Sequence, residues 1–120
     1  MSDVGGTLRR LVRDLRGCHG VFTMDYDGLP LEVVRSEPAG PDLDVIGAEL
    51  AAVLREARQA ALDLGLGFLK GVTVRADGPT MVFQACGRDY LLGAVLDPVS
   101  SAAVARRALV EAAQQDLAAL

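Results

Sequence analysis

The sequence predicts an α+β fold: a three-layer α/β arrangement in which a five-stranded, mostly antiparallel sheet carries helices on both faces. Three observations predict it. Apolar residues recur at helical spacing in three stretches and alternate in five others. The alternating stretches are joined by tight turns, Asp27-Gly28, Asp77-Gly78-Pro79 and Gly87-Arg88-Asp89, which favour hairpins and so antiparallel pairing. The order along the chain is helix-β-β-helix-β-β-β-helix, with no repeat, low-complexity segment or linker, and 120 residues suffice for one domain, residues 1–120.

The first helix is carried by the stripe Val4, Leu8, Leu11, Val12 and Leu15, with Ser2 or Asp3 as cap and Gly17 as its stop after Arg16. Its other face holds Arg9, Arg10, Arg13 and Arg16, read as a solvated surface. Residues 20–26 alternate as a strand, and Asp27-Gly28 predicts a primed two-residue turn into a second strand over 29–34. That second strand puts Leu29, Leu31 and Val33 on one face. Pro30 cannot donate to a ladder, so the strand belongs at a sheet edge. Residues 35–41, with Pro38, Gly40 and Pro41, read as a loop.

Asp42 caps a long central helix to about Leu64, whose buried stripe is predicted as Ile46, Leu50, Val53, Leu54, Ala57, Ala61 and Leu64. Gly65 and Gly67 end it. Three strands follow, over 68–76, 80–86 and 90–96. Asp97 as cap and Pro98 as first residue open a last helix running nearly to Leu120. Its inner face is Ala102, Ala105, Leu109 and Ala112, small enough for close approach to a sheet.

Composition excludes several function classes. The net charge of −4 is wrong for a nucleic-acid binder, which needs clustered positive charge. No apolar run approaches the ~18 residues of a membrane span, and no basic and apolar leader opens the sequence, so no membrane insertion and a cytoplasmic location are expected. Cys18 and Cys86 are read as free, buried thiols; with His19 they would leave a metal ion one ligand short. His19 is the only histidine, and nothing in the sequence supplies the nucleophile a general base would serve. The glycines of 65–71 imitate a dinucleotide fingerprint, but lead from helix to strand, the wrong order for a phosphate at a helix N-terminus. Asp25-Tyr26-Asp27-Gly28 begins like a calcium loop without its later carboxylates. No catalytic, cofactor or metal residue is assigned, and the chain is not read as an enzyme.

The sequence points instead to a protein–protein surface. The central helix is too apolar and too small-sided to cover one sheet and then face water. Gly47 with Ala51, and Ala48 with Ala52, are pairs of small residues one turn apart that admit another backbone. Gly47, Ala51, Leu54, Arg58 and Leu62 are expected at a dimer seam. Ala48, Ala52, Arg55 and Gln59 are expected on an outward surface for a partner, Arg55 offering a positive fork.

The order and spacing of several pieces together resemble the Roadblock/dynein-light-chain family, in its bacterial MglB-like branch. They are the Gly20-Val21 strand entry, the hairpin from Asp25 to Leu31, the alanines 48, 51 and 52, the exit Leu64-Gly65-Leu66-Gly67, and the strand Tyr90-Leu91-Leu92. The resemblance covers the chain from about Leu8 to about Leu117. It implies a central helix on one sheet face and terminal helices on the other. It further implies a homodimer with joined edge strands and paired central helices, acting as a platform for a small Ras-like GTPase. The branch implies GTPase activation by repositioning the GTPase's own groups, without an arginine finger. An arginine of the first or central helix acting as a finger, and a scaffold or sensor-associated subunit with no GTPase-activating role, are the alternatives.

Overall fold

The computed structural model describes residues 3–36 and 41–120. Its elements are α1 (Val4–Asp14), β1 (Cys18–Asp25), β2 (Pro30–Arg35), α2 (Leu43–Asp63), β3 (Gly71–Val74), β4 (Thr80–Cys86), β5 (Tyr90–Leu96) and α3 (Ala102–Gln115). The five strands form one sheet in the order β2-β1-β5-β4-β3, and every neighbouring pair is antiparallel. Pro30 does stand on an edge strand, where its missing N–H costs no ladder bond.

Alternation along the strands divides the core in two. Val21, Val82 and Leu92 point toward α1 and α3, where they meet Leu8, Leu11, Leu109 and Leu117. Phe22, Phe83 and Leu91 point the other way, toward Leu43 and Leu54 of α2. The terminal helices thus share one face and α2 occupies the other. At the centre of the α2 face, Gly93 is in register with both Phe22 and Phe83, whose rings meet edge to face at 6.0 Å. A Cβ on Gly93 would lie 2.6 Å from the Phe22 ring, so the glycine is what admits the aromatic pair.

Four local expectations are corrected. The β1–β2 turn is not a primed two-residue turn. Among the described residues only glycines have positive φ, so Gly28 (φ 85°) is left-handed and Asp27 is not. The Gly28 amide donates to the Asp25 carbonyl at 3.1 Å, and the Asp25 carboxylate accepts from the Asp27 and Leu29 amides at 2.9 and 3.0 Å. That is a three-residue loop closed by a glycine bulge. Second, β3 spans four residues, in register with Met81 to Gln84 of β4, and one further bond, from the Ala85 amide to the Lys70 carbonyl at 2.8 Å, precedes it; Phe68 stays outside, 58% exposed. Third, Asp97 does not cap α3. Its carboxylate lies 2.7 Å from His19 Nε2, and Ser101 caps instead, accepting from the Val104 amide at 3.2 Å. The helix therefore starts at Ala102 and ends at Gln115, short of the expected reach. Fourth, Asp3 occupies the N-cap position of α1 without a side-chain cap bond, and α1 ends at Asp14. Ser2 and the loop residues 37–40 lie outside the described residues.

Candidate functional site

The outward side of α2 and the hairpin pressed against it form the candidate interaction surface. Asp42 starts the helix as expected, accepting from the Asp44 and Val45 amides at 3.1 and 3.3 Å. Which face α2 buries differs in part from the expectation: Leu54 is buried as expected, and Ile46 and Leu50 pack half-buried against the core. Its buried residues are Leu43, Gly47, Ala51 and Leu54, whereas Val53 is 50% and Leu64 73% exposed. The reason is close approach. A Cβ on Gly47 would sit 3.0 Å from Met24 Sδ and 3.5 Å from the Phe22 ring, so the sheet supplies the bulk and the helix the gap. Gly28 of the hairpin fits against the same small side chains: a Cβ there would meet Ala48 Cα at 2.9 Å and Ala51 Cβ at 3.1 Å.

Of the five residues expected at a dimer seam, three lie inside the single chain and two at its surface. Gly47, Ala51 and Leu54 are sealed against the chain's own sheet and have no surface to offer a second chain. Arg58 is half-buried with its guanidinium stacked 3.8 Å above the Tyr26 ring, on the flank that holds the hairpin. Leu62, on that flank, is 44% exposed. The uncovered apolar flank is the opposite one. There Ile46, Leu50, Ala57 and Ala61 are half-buried, with exposed Val53 and Leu64 alongside. Ile46 and Leu50 pack against the same core cluster as Val72 and Val74 of β3, whose outer edge ends the sheet.

Of the residues expected to meet a partner, Ala48, Ala52 and Gln59 are exposed on the outward ridge. Arg55 is not a free fork. Its Nη1 donates to the Tyr26 carbonyl and lies 3.9 Å from an Asp27 carboxylate oxygen, so it holds the hairpin. With both arginines turned to the hairpin, the ridge presents the exposed carboxylates of Glu49, Glu56 and Asp63, Asp63 accepting from Gln59 at 2.9 Å. Sequence reasoning missed this polarity. Burial, more than it is offset by the nearby Arg58 charge, pushes the Tyr26 hydroxyl up from its ordinary range.

The remaining reactive groups are accounted for by packing. Burial pushes the thiols of Cys18 and Cys86 up to about 11, which keeps them protonated and unreactive near neutral pH. His19 ties the start of β1 to Asp97 at the end of β5, and the hydroxyl of Ser36 donates to the His19 carbonyl at 3.1 Å, not to the ring. Among the described residues no three His, Cys, Asp or Glu side chains gather as a metal site, and no helix is long and apolar enough to cross a membrane.

A sequence profile for the Roadblock/LC7 domain matches residues 5–97. Among solved structures, a Roadblock/LC7 domain from Streptomyces avermitilis superposes with a TM-score of 0.80 at 20% identity, covering 94% of this chain and 93% of that one. The gliding protein MglB from Thermus thermophilus gives a TM-score of 0.78 at 19% identity over 94% and 84% of the two chains. MglC from Myxococcus xanthus gives 0.67 at 26% identity over 96% and 97%. No curated protein matches the sequence.

Proposed function

The chain belongs to the Roadblock/LC7 domain family, and from that premise we propose that it is a homodimeric regulator of a small Ras-like GTPase, which it binds on the outward ridge of α2. The dimer joins two β3 edges and sets the two α2 helices flank to flank through Ile46, Leu50, Val53 and Ala57. These residues form an apolar strip left uncovered in one chain, beside a strand edge that would otherwise invite uncontrolled pairing. Two ridges then lie side by side as a shallow platform of Ala48, Ala52 and Gln59, bordered by Glu49 and Glu56.

One observation carries the mechanism. Arg55 and Arg58, the only arginines of α2, are both committed to the Tyr26–Gly28 turn. A finger inserted beside a transferring phosphoryl group would have to leave those contacts. The platform therefore acts on GTP hydrolysis by holding the GTPase's own groups in position, an effect of geometry instead of donated charge. The test is single-turnover hydrolysis by a small Ras-like GTPase with and without the chain, beside a binding titration against the GTP-analogue-loaded form. Acceleration that survives Arg55→Ala and Arg58→Ala supports positioning. Loss of acceleration with binding intact in one of them restores the arginine finger. Binding with no acceleration leaves a scaffold, and no binding to any such GTPase overturns the reading.

A further inference from the structure

A second surface lies on the opposite face of the sheet. Between α3 and the β3–β4 edge runs an open groove of about 620 Å³. Its walls are Val110, Ala113 and Gln114 of α3 against Thr73 and Gln84 of the sheet, with the segment before β3 at one end. Along β4 it is lined from Val82 to Ala85, about 10 Å at ~3.3 Å per residue, with Gly87 of the following turn beyond. The lined strand alone matches about four extended residues at ~3.3 Å each.

Its charge is the decisive feature. The chain has 16 acidic residues and a net charge of −4, yet no Asp or Glu lines this groove. Lys70 stands at one end and Arg106 toward the other; Arg88 joins the Lys70 end, stacked 4.2 Å above the ring of Phe68, which lines the groove. None of these three cations pairs with a carboxylate among the described residues. Between the charged ends lie the amides of Gln84 and Gln114 and half-buried Val110, groups suited to main chain and to small apolar side chains.

We propose that this groove receives an extended acidic segment of a partner protein, its carboxylates held by Lys70 at one end and Arg106 at the other, and its main chain bonded by Gln84 and Gln114. The segment lies on the face away from α2, so it can be bound at the same time as a protein on the α2 ridge. The inference does not rest on the GTPase reading.

The probe is a fluorescein-labelled hexapeptide of alternating glutamate and leucine, capped at both ends, with the lysine–leucine counterpart as control. Anisotropy titrations use the full chain at low salt, where exposed charge contacts are least screened. The acidic peptide is expected to bind saturably and at least about tenfold more tightly than the basic one. Arg106→Glu and Lys70→Glu should each weaken it at least about fivefold, while Arg107→Glu, an exposed α3 arginine outside the groove, should leave it within about twofold. Amide shifts in a ¹⁵N-labelled chain should centre on Gly71, Thr73, Gln84 and Gln114. Equal affinity for both peptides, equal loss in Arg107→Glu, shifts centred on α2, or citrate displacing the peptide at equal concentration would each overturn the proposal. Far-ultraviolet dichroism of each variant separates lost binding from lost fold.

Discussion

Gly28 shows how much one residue can be asked to do. Its φ of 85° closes the β1–β2 turn, and its missing side chain lets the turn rest on Ala48 and Ala51. Gly28→Val meets both demands badly, with backbone strain and a Cβ 2.9 Å from Ala48 Cα. A cost of about 3 kcal/mol is expected, seen as a lower urea midpoint. The thiols make a second residue-scale prediction. Each is held near 11 by burial, whereas an unfolded thiol titrates near 8.5. Below about pH 8.5 both states are protonated and this contribution to stability is fully present. As pH rises toward 11 the unfolded chain releases protons that the folded chain keeps, so stability falls, by up to about 1.4 kcal/mol per pH unit for each thiol. Tyr26, also raised by burial, acts in the same direction. Urea midpoints measured from pH 7 to about 10.5 in reductant should decline, and Cys86→Ala should decline less steeply. An equal slope would show that the thiols are not the cause.

At the scale of elements, the strands and turns were legible because alternation and glycine position are local properties. The edge placement of β2 followed from Pro30 alone, and the hairpins from Asp27-Gly28 and Gly87. What the sequence concealed was set by partners distant along the chain. Asp97 looked like a cap, but His19, far off in sequence, took its carboxylate. The buried face of α2 was placed to one side of its true centre, catching Leu54 but not Gly47 and Ala51, because hydrophobicity marks large residues while this helix buries Gly47 under Met24 and Phe22 of the sheet. For the same reason Gly47, Ala51 and Leu54, expected at a seam, lie under the sheet instead, and Arg55 read as a free fork because its acceptor is a main-chain carbonyl. Substitutions should now separate the two flanks. Ala51→Glu, at a site 1% exposed, should unfold the chain outright. Val53→Asp, at 50% exposure, should leave the single chain folded and shift association toward monomer, read by light scattering at micromolar concentration. A Val53→Asp chain that stays dimeric would move the seam elsewhere. On the other side, Arg10 bonds Asp116 and is held up by it, joining α1 to the end of α3; it is not merely a solvated arginine. Arg10→Glu should lower stability by about 1 kcal/mol, screened by salt.

Over the whole molecule, the sheet separates two surfaces of unlike charge, and that separation decides what a partner on α2 must look like. The ridge offers small apolar residues among the carboxylates of Glu49, Glu56 and Asp63, with its arginines turned aside to the hairpin. A GTPase that fits this ridge brings basic side chains to it, not the acidic switch that a free Arg55 would have attracted. The expected outcome is that Glu56→Arg weakens GTPase binding about tenfold, mainly through slower association, with an unchanged melting temperature and unchanged dimer mass. Arg55→Glu is expected to lower the melting temperature as well, since it sets a carboxylate against the Tyr26 carbonyl and Asp27. Raising the salt should narrow the gap between the chain and Glu56→Arg, because rim charges act over about one Debye length. Binding that strengthens in Glu56→Arg would mean that the partner's surface is acidic. Binding unaffected by Glu56→Arg but abolished by Arg106→Glu would place the GTPase on the α3 groove and leave the ridge without a partner.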